Sequence, residues 1–177
     1  MIKTFALLFV GLLALVLILA ASRPDSFRVE RSARIQAPPE RVYALISDLQ
    51  QFKRWNPWER KDPELRYTFG ASKAGVGAAY AWESQKVGTG RMEITEVQPG
   101  RKVLMRLDFL KPFEAQNQAE FVLQPLSGGG TELRWSMAGP SPFMSKLIGL
   151  FISMDRMVGA DFEDGLGHLK QLAEQPA

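Results

Sequence analysis

Few residues in this chain could carry acid–base, nucleophilic or metal chemistry. There is one histidine, His168, in a Gly-Leu-Gly-His run, and no cysteine; thiolate nucleophiles, thiolate metal sites and disulfides are therefore excluded. A Ser-His-Asp arrangement would rest on His168 alone, and a solvated surface histidine is the simpler reading. Asp155, Asp161, Glu163 and Asp164 are the one dense carboxylate group, but their spacing scatters them around a helix instead of converging on one ion. Asp155 differs, because it falls beside the apolar stripe of Phe151, Val158 and Phe162, where an ionised carboxylate needs a partner such as an arginine. Ser84 and Asn117 share the inward parity of their strands and could orient a ligand, although turn or edge positions explain them equally well. The glycine clusters have no P-loop spacing and read as turns. No cofactor and no metal are implied by this inventory, and no complete acid–base set is present.

Whatever these residues do, ordinary globular elements must position them. With 177 residues, 46% hydrophobic and 23% charged, one domain with one core is expected. The net charge of +3 is modest and its cations are dispersed, which argues against nucleic acid as the partner. Phe27, Val29, Ala33 and Ile35 alternate as in a half-buried strand. Pro39 then opens a helix with Val42, Leu45, Ile46 and Leu49 at helical spacing, and a second short helix ends before Asn56-Pro57. Six further strands follow, at Leu65 to Gly70, Ala78 to Ser84, Gly90 to Val97, Lys102 to Phe109, Phe113 to Leu123 and Thr131 to Met137, separated by turn residues as in an antiparallel meander. From Phe143 to Ala173 apolar residues recur at steps of three and four, which predicts one long helix. Its glycines, at 149, 159, 165 and 167, mark kinks or close backbone contacts.

A seven-stranded antiparallel sheet must cover its apolar face, and the last helix is the element long enough to do so. Alternation turns Tyr67, Phe69, Tyr80, Trp82, Met92 and Ile94 toward that helix, together with Met105, Leu107, Asn117, Phe121, Trp135 and Met137. The helix returns Phe151, Met154, Val158 and Phe162, and Trp55 and Trp58 flank a proline where the short helices meet the sheet. Aromatics and methionines line adaptable apolar sites, yet the same residues could pack a solid core. The cations Arg54, Arg60, Lys61 and Arg66 fit either anionic headgroups or a solvated face.

The order strand, helix, helix, six strands and long helix carries specific motifs: Ile35-Gln36-Ala37-Pro38-Pro39-Glu40-Arg41-Val42-Tyr43 at the strand-to-helix corner, Trp55-Asn56-Pro57-Trp58, and Gly139 to Phe143 before the final helix. In these the chain resembles the SRPBCC superfamily, and within it the polyketide cyclase/dehydrase and lipid-transport branch, over roughly Phe27 to Glu174. The resemblance implies an α+β helix-grip fold, a curved sheet wrapped around the last helix. It also implies an internal cavity used for lipids, polyketides or steroids, or for contacts with client proteins. Binding of a hydrophobic small molecule or lipid is the expected function. A cyclase- or dehydrase-like enzyme and a protein-interaction or stress-response module are the alternatives, and protein partners are unassigned.

Phe5 to Ala21 contain no charge, so a helix here would rise roughly 25 Å, close to the hydrocarbon thickness of a bilayer. Residues 1–22 are expected to form a single-pass membrane anchor, residues 23–26 a linker and residues 27–174 the binding domain. A cleaved signal is the competing reading, but the apolar stretch exceeds a usual h-region and lacks a clean A-x-A end. Arg23, Arg28, Arg31 and Arg34 against Lys3 favour a cytoplasmic domain by charge count, whereas long domains translocate regardless of charge. The side of the membrane stays open.

Overall fold

The computed structural model describes residues 2–176; Met1, at the start of the expected anchor, and Ala177 lie outside them. Helix α1 (Ile2–Ala21) is followed by strand β1 (Ser26–Ile35), helices α2 (Pro39–Ser47) and α3 (Leu49–Trp55), and a 3₁₀ turn at Pro57–Arg60. Six strands come next: β2 (Arg66–Phe69), β3 (Ala79–Ser84), β4 (Gly88–Gln98), β5 (Lys102–Lys111), β6 (Ala115–Pro125) and β7 (Thr131–Pro140). The chain ends with α4 (Phe143–Ile148) and α5 (Met154–Glu174).

Local chemistry explains the boundaries. Pro39 occupies the first turn of α2, where a missing N–H costs nothing. The Asp48 carboxylate accepts the Gln50 N–H at 2.8 Å and caps α3. Asn56, held out of the helical region by Pro57, accepts from the Trp58 N–H with its side chain.

All seven strands join one antiparallel sheet in the order β1-β7-β6-β5-β4-β3-β2. Strands β2 to β7 form the expected meander, and β1 closes onto β7 with Ser26 opposite Pro140 and Ile35 opposite Thr131. The β4–β5 register shifts twice, with Leu110 of β5 and Thr95 of β4 as the extra residues, and such bulges bend the strands that carry them. One end of the sheet therefore gathers the start of β1, the end of β7 and the β5–β6 hairpin. The β4–β5 and β6–β7 turns lie at the opposite end.

The single long helix expected from Phe143 to Ala173 is two helices. Gly149 ends α4, and Ser153 starts α5 by accepting the Arg156 N–H on its hydroxyl at 3.3 Å. A mid-helix glycine costs about 1 kcal/mol, and a serine cap four residues later stabilises a fresh start. Helix α5 lies along β1 and touches α2, α3 and the 3₁₀ turn, so it covers one side of the sheet's concave face and leaves the β3–β6 side open.

Among the described residues α1 is the one helix long and apolar enough to cross a membrane. Nearly all of it is exposed; Ala20, near its end, is buried, and α1 rests against α4.

Candidate functional site

Along each strand the inward side chains divide by position. Toward the β4–β5 end, Ile94, Val103, Leu123 and Leu133 are buried in a continuous core with Val42, Ile46 and Leu49 of the short helices. Toward the other end the same strands contribute Met92, Met105, Leu107, Phe109, Ala119 and Met137 to the wall of an open cavity of about 1350 Å³.

Between core and cavity stands a partition of rings. Trp135 stacks on Phe162 at 3.9 Å with an interplanar angle of 8°, and on Phe121 at 5.1 Å. Trp55 meets Trp135 edge-on at 5.5 Å and donates its indole N–H to the Leu45 carbonyl at 2.8 Å. Gly165 lets α5 come close here: a Cβ at this position would lie 2.9 Å from both Pro57 Cδ and Trp135 Cζ3.

Most of the expected pocket residues meet on this wall: Trp58, Tyr67, Tyr80, Trp82, Met92, Met105, Leu107, Asn117, Phe121, Trp135 and Met137, with Phe151, Met154, Val158 and Phe162 from the helical side. Three of the expected positions lie off it. Trp55 and Ile94 are fully buried on the core side of the partition. Phe69 packs near the sheet edge against Tyr67 and Tyr80, one residue pair too far along β2. Phe151 does not sit on a helix stripe but in the α4–α5 turn, 79% exposed at the cavity mouth.

The wall also contains residues that periodicity did not single out. Phe113, in a segment read as the start of a strand, belongs to the β5–β6 turn. Met144, Ile148 and Ile152 come from α4 and the turn after it. An unusually apolar turn was the only sequence signal for them.

The interior offers little polarity. Trp82 Nε1, Asn117 Oδ1 and Trp135 Nε1 are buried without a hydrogen-bond partner, at a cost of about 1–3 kcal/mol each. Each is shielded from the void as well as from solvent, so these residues present carbon rather than polar atoms to the cavity. Burial, reinforced by the neighbouring Tyr80 and then Glu59, holds the Tyr67 phenol far above its ordinary pKa; burial and the Glu59 charge do the same for Tyr80. Both phenols stay protonated at neutral pH and cannot serve as bases.

Charged wall residues gather at the mouth: Arg23, Arg28, Glu114, Lys146, Asp155 and Arg156. Asp155 pairs with an arginine, as expected, although its side chain is 60% exposed rather than set within an apolar stripe. Arg31 of β1 bonds the Asp155 carboxylate at 2.8 Å and Glu163 at 2.6 Å, and the Arg31 hydrogen bond lowers the Asp155 pKa. Gly159 makes room, since a Cβ there would overlap the Arg31 guanidinium.

The other helix carboxylates are paired rather than simply solvated. Asp161 meets Lys61 at 2.6 Å and Asp164 meets Arg60, which ties the 3₁₀ turn to α5 and removes Arg60 and Lys61 from a free cationic face. Ser84 ends β3 and braces the turn that follows: it donates to Asp62 at 2.6 Å and accepts the Val87 N–H at 2.8 Å. His168 lies on the surface beside Asp164, away from the cavity. Among the described residues no cluster of three metal-ligating side chains exists.

Residues 26–174 match the family described as polyketide cyclase / dehydrase and lipid transport. The chain belongs to that family. Its fold is shared with a protein from Chromobacterium violaceum that is 20% identical, with coverage of 87% of this chain and 100% of that one and a TM-score of 0.60. DynU16, from the dynemicin biosynthetic locus, is 18% identical at a TM-score of 0.60, with 86% of this chain matching 48% of that one. The Aha1 dimer from Colwellia psychrerythraea is 16% identical, with 84% and 96% coverage and a TM-score of 0.57. At such identities the likeness shows the fold alone. No curated protein matches the sequence. The polyketide cyclase/dehydrase and lipid transport family suggests a hydrophobic ligand, and a wall of methionines and aromatic faces is chemically suited to one.

Proposed function

We propose that this protein holds a lipid or another hydrophobic small molecule in the cavity between the sheet and α5, on a domain tethered to a membrane by α1. The observation that carries the reading is the cavity itself, an open space of about 1350 Å³ walled by apolar side chains, larger than a drug-sized pocket of roughly 300–1,000 Å³. Its interior is apolar and its charges sit at the mouth, an arrangement that suits an amphipath with its tail inward.

Photo-cross-linking on the full chain in native membranes tests this. Diazirine-bearing phospholipid, fatty acid and polycyclic probes are irradiated, and the adducts are mapped by mass spectrometry. Adducts on Met92, Leu107 and Met137, deep on the wall, are expected for at least one probe class. If every probe marks only α1 and the outer surface, the binding reading fails.

A further inference from the structure

The surface around the cavity mouth is as unusual as the cavity. Among the described residues outside α1, ten large apolar side chains are exposed. All but Val76 fall in three segments: the β5–β6 hairpin end, α4 with the turn after it, and the first turn of α5. Phe113 is 78% exposed and Phe151 79%. Scattered exposed apolar residues are ordinary, whereas a contiguous set marks an interaction surface. Strand register puts the β5–β6 hairpin and the end of β7 at one end of the sheet, because Ser26 faces Pro140 and Phe109 faces Ala115; α4, its following turn and the first turn of α5 come directly after β7 and line the same cavity as Phe113. Cavity wall and collar share Phe113, Met144, Phe151 and Ile152.

The occupant of this surface follows from where α1 ends. Only four residues, Ser22 to Asp25, separate α1 from β1, a reach of at most about 14 Å. The link is also fastened. The Ser141 N–H donates to the Asp25 carbonyl at 2.7 Å, and buried Lys146 of α4 pairs with the Asp25 carboxylate. Arg23 and Pro24 themselves form part of the mouth. A bilayer around α1 has its headgroup layer, on the order of 6 Å deep, directly against this end of the domain.

We infer that the exposed apolar collar of α4, the α4–α5 turn and the β5–β6 hairpin inserts into the same bilayer that holds α1, so that the cavity opens into the acyl layer. A membrane lipid then moves between bilayer and cavity without crossing water. The inference rests on the tethered reading above and adds the docking surface and the route of entry.

The chain has no cysteine, so single cysteines can be introduced at Phe113, Phe151 and Ser127 and labelled with the environment-sensitive dye NBD. Ser127 lies in the β6–β7 turn, at the far end of the eleven-residue β6, on the order of 35 Å from the collar. The labelled full chain is reconstituted in phosphatidylcholine vesicles containing doxyl-labelled lipid. Blue-shifted emission quenched by at least half at 113 and 151, with no quenching at 127, is expected. Collar probes as water-exposed as the probe at 127 overturn the inference, and self-quenching among them would assign the patch to a second copy of the chain instead.

Cross-linking in the same vesicles separates the two readings. Wall adducts with an unquenched collar sink the docking and leave the binding, and a quenched collar without wall adducts does the reverse. The double substitution Phe113→Asp, Phe151→Asp should slow appearance of wall adducts at least fivefold, and an unchanged rate overturns the entry route.

Discussion

Ala119 of β6 is buried in the cavity wall, opposite Met105 on β5 and Met137 on β7. In Ala119→Phe the added ring would project between two flexible methionines into open space and bury on the order of 100 Å² more apolar surface. At about 25 cal/mol per Å² the upper bound is about 2.5 kcal/mol. An unfolded chain that already buries part of this surface, and a ring face left toward the void, reduce it to roughly 1–2 kcal/mol. A filled interior would instead make the same substitution cost about 1–3 kcal/mol through overpacking. The two cases differ in sign. At about 2–4 °C per kcal/mol for a domain of this size, the ligand-free protein should melt roughly 2–8 °C higher if the space is real. The ring also occupies the volume a guest needs, so lipid cross-linked to the inner wall should fall at least tenfold, equivalent to about 1.4 kcal/mol of lost affinity. Differential scanning calorimetry and quantitative cross-linking read the two effects on one sample. A lower melting temperature with undiminished wall adducts would refute the reasoning, because it would mean that the ring found no room and that the guest lies elsewhere.

Two glycines of α5 should respond in opposite directions. Gly165→Ala gains about 1 kcal/mol of helix propensity but drives a methyl into the Pro57 and Trp135 rings; a net loss of about 1–2 kcal/mol should lower the melting temperature. Gly167→Ala, with nothing within 4 Å of the added Cβ, should raise stability by up to about 1 kcal/mol, and equal responses would discredit the close approach at Gly165. Asp155, Asp62 and Asp25 all have folded pKa values depressed, by Arg31, Ser84 and Lys146 respectively. Their stabilisation is present above the unfolded carboxylate value of about 3.9 and is lost as pH falls through the lower folded values. Urea titrations at pH 7 and pH 3 should therefore show an acid-labile component that Arg31→Ala reduces and Asp155→Asn does not reduce further in that background.

The strands were readable because alternation and turn glycines act locally. Gly75, Gly77, Gly129 and Gly130 all have positive φ, the region that favours glycine, and each marks a strand break where it was expected. The end of β7 was not readable: Gly139 and Pro140 extend it beyond the β6 pairing because β1 lies alongside, a long-range pairing that alternation does not encode. The family was legible in the Ile35 to Tyr43 corner. Facing was legible too, and the inward parity of Tyr80, Trp82, Met105 and Met137 holds. Whether an inward residue meets core or void was not, because that depends on where α5 crosses the sheet; Ile94 and Met92 have the same parity and lie on opposite sides of the ring partition. The pairing of Asp155 with an arginine holds, but the apolar surroundings it was read from do not, since the side chain is exposed; choosing Arg31 among many arginines required the β1–α5 contact.

The misread helix and the cavity have one origin. A continuous helix from Phe143 would run its apolar stripe along the sheet and set Phe151 and Met154 over the void. Gly149 and the Ser153 cap break it instead, α5 starts afresh against β1, and Arg31 pins its first turns there through Asp155 and Glu163. The side chains that would have filled the space are turned outward at the mouth. The near half of the sheet is thereby left uncovered, while the far half is closed by the Trp135–Phe162 stack. A hollow placed beside the end of α1, with the displaced apolar residues forming its rim, follows from that single interruption.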